Sequence, residues 1–484
     1  MDLFNPNHYK HLEDDSAMIQ AAVDAAGKSG EKVRIPRYNE RTGKNIWTIT
    51  KTVNLYTGSV ICLDNCHLRL ADGMFGNMFK NSNGREEAAK TLSGRQYDIH
   101  IYGVGNAMLD GGNHNGLIET NAAEKGLPMI LNTMIHFHNA ERIIIENLTM
   151  VSQRWWGITF HYCSDVRISN IRYRTLCTAP NCDGIDLRTG CNGFVIENIS
   201  GYTQDDTVAL TNLRNLFDEK MRVTDLDDSI HNVVIRNITA KTTCASVRLL
   251  NHARKKLYNV MIENVQQYCE FDPADKTTTA KENRIPFSKD YNYGSTATDA
   301  QEDKYWQVFG KNMSVAVRIG ENTYFGDNID NRAKPGEMYN IVVRNVQAQG
   351  AYAVGIAATL IDSTIENVKL YGEGISPIHF GPGEFKNIVF RDIGYSTAFT
   401  IRENSYPNQF AEDPNYGYDD IAAVYFNGSK ASDLRFDGVY VPQYANSVFS
   451  GRNCDVRLKA CNIDKGNHVQ MIGSKGIIAA VSES

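Results

Sequence analysis

A short pattern recurs along this chain: a run of β-branched or apolar residues that ends in Asn and one further apolar residue. It reads IIIENL at Asn147, VRISNI at Asn170, FVIENI at Asn198, VVIRNI at Asn237, VMIENV at Asn264, IVVRNV at Asn345 and STIENV at Asn367, with IVFRDI at Asp392. Successive gaps are 23, 28, 39, 27, 81, 22 and 25 residues. Most fall within the roughly 20–50-residue period of solenoids, and the two long gaps mark insertions. The segments between are short and bounded by Gly, Asn and Asp, without helical periodicity.

An isolated strand of this kind cannot bury its apolar side. Stacking coil on coil buries it and pairs the backbone along the axis. Asn at a fixed place in each coil suits a tight bend, because it tolerates the left-handed conformation, and stacked copies can bond to each other as a ladder. The expected fold is all-β, a single-domain right-handed parallel β-helix over residues 1–484. Its lid is an N-terminal capping helix over 14–30, DDSAMIQAAVDAAGKSG, with a capping Asp or Ser, helically spaced apolar residues and a closing Gly.

The net charge of -6 is not that of a general nucleic-acid binder. No run of about 18 apolar residues calls for a membrane span, and the opening MDLFNPNHYKHLEDD lacks the marks of a secretory signal, so the chain reads as cytoplasmic. Ten Cys are scattered; Cys62 and Cys66 have no downstream CxxC or HxxxH partner, so reduced core thiols are expected rather than zinc. Nothing in the sequence calls for a metal or cofactor.

The strand after each Asn motif can be aligned: WGITF from Trp156, DGIDL from Asp183, DTVAL from Asp206, ASVRL from Ala245 and SVAVRI from Ser314. Apolar third and fifth residues of the first four point inward, and equivalent residues of consecutive coils form columns. One column carries Trp156, Asp183, Asp206 and Ala245; its neighbour carries Thr159, Asp186, Ala209, Arg248 and Arg318. His136 in MIHF and His379 in PIHF extend the set. Carboxylates crowded at the centre of an exposed face, with Trp, His and Arg around them, make a cleft for acid–base work on a carbohydrate. The same carboxylates also suit turn caps or a structural cation.

These residues resemble glycoside hydrolase family 28, the polygalacturonase-like family of the pectin-active parallel β-helix superfamily. The similarity runs from about Asp14 to Arg318 and is most specific over 141–212. IYGVGNAMLDGG resembles the family's G-x-G-x-IDG segment, NCDGID its NTDGID and QDDTVAL its GDDxIAI. The resemblance implies an inverting hydrolase in which Asp205 is the general acid and Asp183 and Asp206 share the role of base. Asn181 and Gln204 of the same motifs, with Asp186, Trp156, His136, His379, Arg248 and Arg318, are then the substrate-binding candidates. Two positions depart from the family pattern: Ala245 stands where it carries a His, and Gly320 where it carries the Lys of R-I-K. Arg248 either replaces that positive charge or pairs with the carboxylates.

The partner expected is an oligosaccharide. Insertions near 271–313 and 403–422, rich in Tyr with a Trp in the first, are expected to wall the cleft. A polysaccharide lyase or uronate epimerase on the same fold, or a non-catalytic glycan-binding β-helix, would use the same surface.

Overall fold

The computed structural model describes residues 4–29, 31–175, 181–214, 216–242, 244–267, 315–320, 331–350, 352–374, 376–401, 422–441, 447–463, 469–471 and 477–480. The expected insertions at 271–313 and 403–422 lie outside the described residues, except for Ala422. The chain divides into two compact units, the first built on residues 1–209 and 214–228, the second on 210–213, 229–268 and 312–484.

In the first unit every paired strand is parallel, and the strands stack in three sheets. One runs through Val33–Pro36, Val60–Asp64, Gln96–Val104, Ala140–Val151, Ser164–Arg174 and Asn192–Tyr202. A second runs through Trp47–Ile49, His67–Leu70 and Met108–Asp110. The third runs through Val53–Leu55, Phe79–Asn81, Ile135–His138, Ile158–His161 and Ile185–Leu187. This is a parallel β-helix. The second unit stacks in the same way: Ile230–Lys241, Leu257–Gln266 and Met338–Ala348 form one sheet, and Ala245–Asn251 pairs with Val315–Ile319 in another. The strand Tyr352–Gly374 serves both, its start pairing with Val315–Ile319 and its latter half with Met338–Ala348.

The bends behave as the repeat requires. Asn147, Asn170, Asn198, Asn237, Asn264, Asn345, Asn367 and Asp392 all have positive φ, between 51° and 60°. In the first unit the Asn170 amide donates to Asn147 Oδ1 at 2.9 Å and the Asn198 amide to Asn170 Oδ1 at 3.0 Å. In the second, Asn264, Asn345 and Asn367 continue a ladder from Asn237 at 2.9, 2.9 and 2.8 Å. Alternate residues of each strand point inward: Ile143, Ile145, Ile168 and Ile196 are fully buried. Phe137 and Phe160 stack inside at 5.8 Å.

The capping helix α1 spans Asp15–Ser29. Asp14 caps it, accepting the Ala17 N–H at 2.7 Å. Met18, Ile19, Ala22 and Val23 are buried, while Ser16 and Asp15 accept the N–H groups of Thr50 and Thr48 at the first coil. Cys62, Cys66, Cys163, Cys182, Cys191, Cys244 and Cys454 are buried. Among the described residues no helix is long and apolar enough to cross a membrane.

Replacing Asn170 by Ala removes two ladder bonds and puts a β-carbon without a compensating amide at positive φ, which should destabilise the protein by about 1–3 kcal/mol. Asn170→Gly keeps the φ and should lose less. Urea unfolding of the two variants measures the difference, and equal losses would contradict a bend role.

Candidate active site

Trp156, Asp183 and Asp206 sit on the turns that lead into the strands of the third sheet, and the backbone ladder fixes their register. Gly157 N–H donates to Asp183 O at 3.0 Å and Gly184 N–H to Asp206 O at 2.9 Å. Asp183 is therefore stacked on Trp156, and Asp206 on Asp183, at the strand spacing of about 4.8 Å. The aligned columns are recovered here, including Ile158 opposite Ile185 and Thr159 opposite both His136 and Asp186.

Asp205 joins the group from the side. Its carboxylate lies within 4.8 Å of that of Asp206, and its Oδ1 accepts the Asp206 N–H at 3.0 Å. Asp183 and Asp206 are 5% and 1% exposed, whereas Asp205 is half-exposed. The Cys182 thiol packs beneath: burial raises its pKa well above the ordinary value, and the charges of Asp183 and Asp205 raise it further.

Polar side chains hold the turns. Gln153 Nε2 donates to Asp183 O at 3.0 Å, Cys182 Sγ to Gln153 O at 3.1 Å, and the Cys182 N–H to Gln204 Oε1 at 3.4 Å. Gln204 is thereby a buried brace for the Asp183 turn, and Asn181 opens that turn at a φ of 55°. Thr203 Oγ1 donates to Asp205 O at 2.7 Å.

The neighbouring column is not an exposed face, which corrects the sequence expectation. His136, Thr159 and Asp186 are buried, at 0%, 0% and 1% exposure. Two segments meet at His136. Arg85 reaches in to Asn77 Oδ1 at 2.6 Å and lies 3.3 Å from His136 Nδ1. From the other side α3, Leu216–Lys220, inserts Asp218. Its carboxylate takes His161 Nε2 at 3.0 Å and Arg188 through Nε at 3.2 Å and Nη2 at 2.7 Å, and His161 Nδ1 meets His136 Nε2 at 3.2 Å. The Arg188 guanidinium also lies 4.7 Å over the Trp156 ring. Asp218 is held well below the usual carboxylate range by Arg188 and His161, against the desolvation of its burial.

Sequence reasoning missed Arg188, His161 and Asp218. Arg188 and His161 close aligned strands and carried a positional signal. Asp218, in an inter-repeat loop 57 residues from His161, carried none.

In the second unit Arg248 and Arg318 are directly paired across adjacent strands and half-exposed, as the alignment required. The column continues through Gly355 to His379, whose ring lies between Tyr352 at 4.3 Å and Tyr425 at 5.6 Å. Burial, and then the charge of Arg318, push the His379 pKa down to about 3, so the ring is neutral.

Residues 75–227, which contain the whole aspartate group, match the model of glycosyl hydrolases family 28. Over 78 residues it is 31% identical to a probable polygalacturonase of Arabidopsis thaliana, a match spanning 16% of this chain and 17% of that relative. Among solved structures it is similar to a family 28 exopolygalacturonase of Yersinia enterocolitica, at 10% identity, 95% coverage of this chain, 78% of that one and a TM-score of 0.47. An exopolygalacturonase of Thermotoga maritima gives 12%, 99%, 90% and 0.41, and a surface adhesin of Streptococcus pneumoniae 13%, 99%, 93% and 0.41.

The buried histidines set a pH limit. Burial lowers His136 well below 6.5, His138 to about 3 and His114 to about 4. Each binds its proton more readily unfolded, so stability is full above about pH 6.5 and falls by about 1.4 kcal/mol per pH unit per group below it. Unfolding free energy measured between pH 7 and 5 should fall steeply, and His138→Gln should flatten the slope. A pH-independent stability over this window would contradict neutral buried rings.

Proposed function

We propose that the chain is a glycoside hydrolase that cleaves a glycosidic bond with inversion in a plant-type or pectin-related oligosaccharide. Asp205 acts as the general acid, protonating the leaving oxygen. Asp183 and Asp206 share the base that activates water. The observation that carries this reading is the stacking of Asp183 and Asp206 in consecutive coils with the more exposed Asp205 beside them. A carboxylic acid beside a carboxylate is the pair that acid–base cleavage of a glycosidic bond needs. An inverting pair needs room for a water between acid and base, about 6.5–9.5 Å. The Asp205 and Asp206 carboxylates lie within 4.8 Å of each other, so in this reading that spacing falls to Asp205 and Asp183, one coil further along.

The family 28 match over this segment supports the same chemistry. Trp156 and Asn181, both half-exposed at the turn, are the substrate contacts in this reading, with Gln204 bracing from below. His136, buried against Arg85 and His161, leaves the contact set, while Asp186 is as buried as Asp206. In the second unit the Arg248–Arg318 pair offers two guanidinium groups to an anionic sugar, with His379 in the same column. That pair also favours a second reading, a lyase or epimerase that removes a proton beside a uronate carboxylate.

Asp205→Asn keeps the shape of the acid but has no proton to give, so turnover of a true substrate should fall by about 10²–10⁴-fold with the melting curve unchanged. Wild-type turnover in this variant would remove Asp205 from the acid role. An unsaturated, ultraviolet-absorbing product would replace hydrolysis by the lyase reading.

A further inference from the structure

Trp156 lies in the turn before the strand Ile158–His161, one coil from Asp183, and is partly exposed. The ladder fixes its backbone, but register does not set the side-chain torsions of a tryptophan in a turn. Arg188 follows the strand Ile185–Leu187, into which Asp183 leads, and its guanidinium stands 4.7 Å over the Trp156 ring. The Arg188 side chain is 3% exposed and that of Asp218 0%. Asp218 takes Arg188 through Nε and Nη2 at 3.2 and 2.7 Å, and His161 Nε2 at 3.0 Å. His161 and Arg188 stand at the ends of paired strands, so Asp218 is gripped from adjacent coils. His161 is itself tied to His136, and His136 to Arg85. A planar fork donating twice to one carboxylate cannot turn without breaking those bonds, and breaking them in a dry site is costly. The guanidinium plane is therefore fixed, and the ring it faces is held with it.

We propose that Arg188 and Asp218 are positioning residues for the substrate, which together hold the Trp156 indole with its face set toward a sugar ring beside Asp183. This rests on the hydrolase reading, in which Trp156 contacts the substrate. Arg188 acts through the ring, and Asp218 acts through Arg188. The segment Leu216–Lys220, which is outside the repeat, thereby contributes to affinity. A ring oriented in advance loses little torsional freedom when a pyranose packs on it. Loss of that orientation weakens ground state and transition state alike, so KM rises while kcat stays.

The test uses the full chain and a signal from the ring itself. Trp155 and Trp156 have centroids 5.5 Å apart at an interplanar angle of 38°, so their indole transitions couple and give the pair a circular-dichroism couplet. The wild-type spectrum less that of Trp156→Phe isolates it. Asp218→Asn strands a buried guanidinium, so the double variant Arg188→Met/Asp218→Asn, which removes both charges, is measured beside it and beside Arg188→Met alone. In the variants that melt cooperatively the couplet should collapse. On pectin-derived oligogalacturonides their KM should rise by about tenfold with kcat nearly unchanged, the scale of one side chain left to be ordered by the ligand. An unaltered couplet in a folded variant lacking Arg188 would overturn the proposal, as would a loss of kcat at constant KM. Failure of all three variants to fold would also overturn it, because the pair would then be part of the scaffold. The hydrolase reading fails separately, by the wild-type chain cleaving none of these oligosaccharides, and the couplet then decides the positioning by itself.

Discussion

The site depends on coil-to-coil registration, and the most visible bond enforcing it is one Asn amide donating to the same Asn one coil away. The bend is set by a left-handed residue at each of these positions, and the amide ladder gives that strained conformation a partner in the next coil. A slip of one residue would turn every inward side chain outward. The ladder thus holds Ile158 over Ile185, and with it Asp206 over Asp183 over Trp156. Three acidic groups meet because the polymer repeats, not because a loop happens to gather them.

Much of this was legible because a parallel stack translates sequence spacing directly into distance. The Asn motif, the inward apolar alternation and the 23-residue step from Asp183 to Asp206 are one-dimensional signals of a quasi-one-dimensional fold. A second series of bends escaped notice, although it runs five residues before the first: Arg142, Asp165 and Gly193 in one unit, Asn232, Asn259 and Asn340 in the other, all at positive φ. In the second unit it even carries its own amide ladder, from Asn340 to Asn259 to Asn232. Its residue types vary among Arg, Asp, Gly and Asn, so no single letter marks it.

What the spacing could not give was which parts of the stack are covered. His136, Thr159 and Asp186 share a column beside the aspartates and looked like cleft lining. Arg85 and Asp218 come from segments outside the repeat, and they bury His136 of that column, Arg85 directly and Asp218 through His161. Such contacts are set by tertiary closure of irregular chain, and no periodicity predicts them. The outcome divides the face: a buried polar layer lies on one side, and the half-exposed Trp156 and Asp205 mark the turns that also carry Asp183 and Asp206.

The proposed roles imply one stereochemical course. With Asp205 as acid and Asp183, in another coil, as base, water would attack from the far side of the sugar. The decisive measurement is the anomeric configuration of the sugar released in the first turnovers, read by NMR on any substrate the protein cleaves. The proposed roles predict inversion. Retention would contradict them, because that course passes through a covalent glycosyl intermediate on one of the carboxylates.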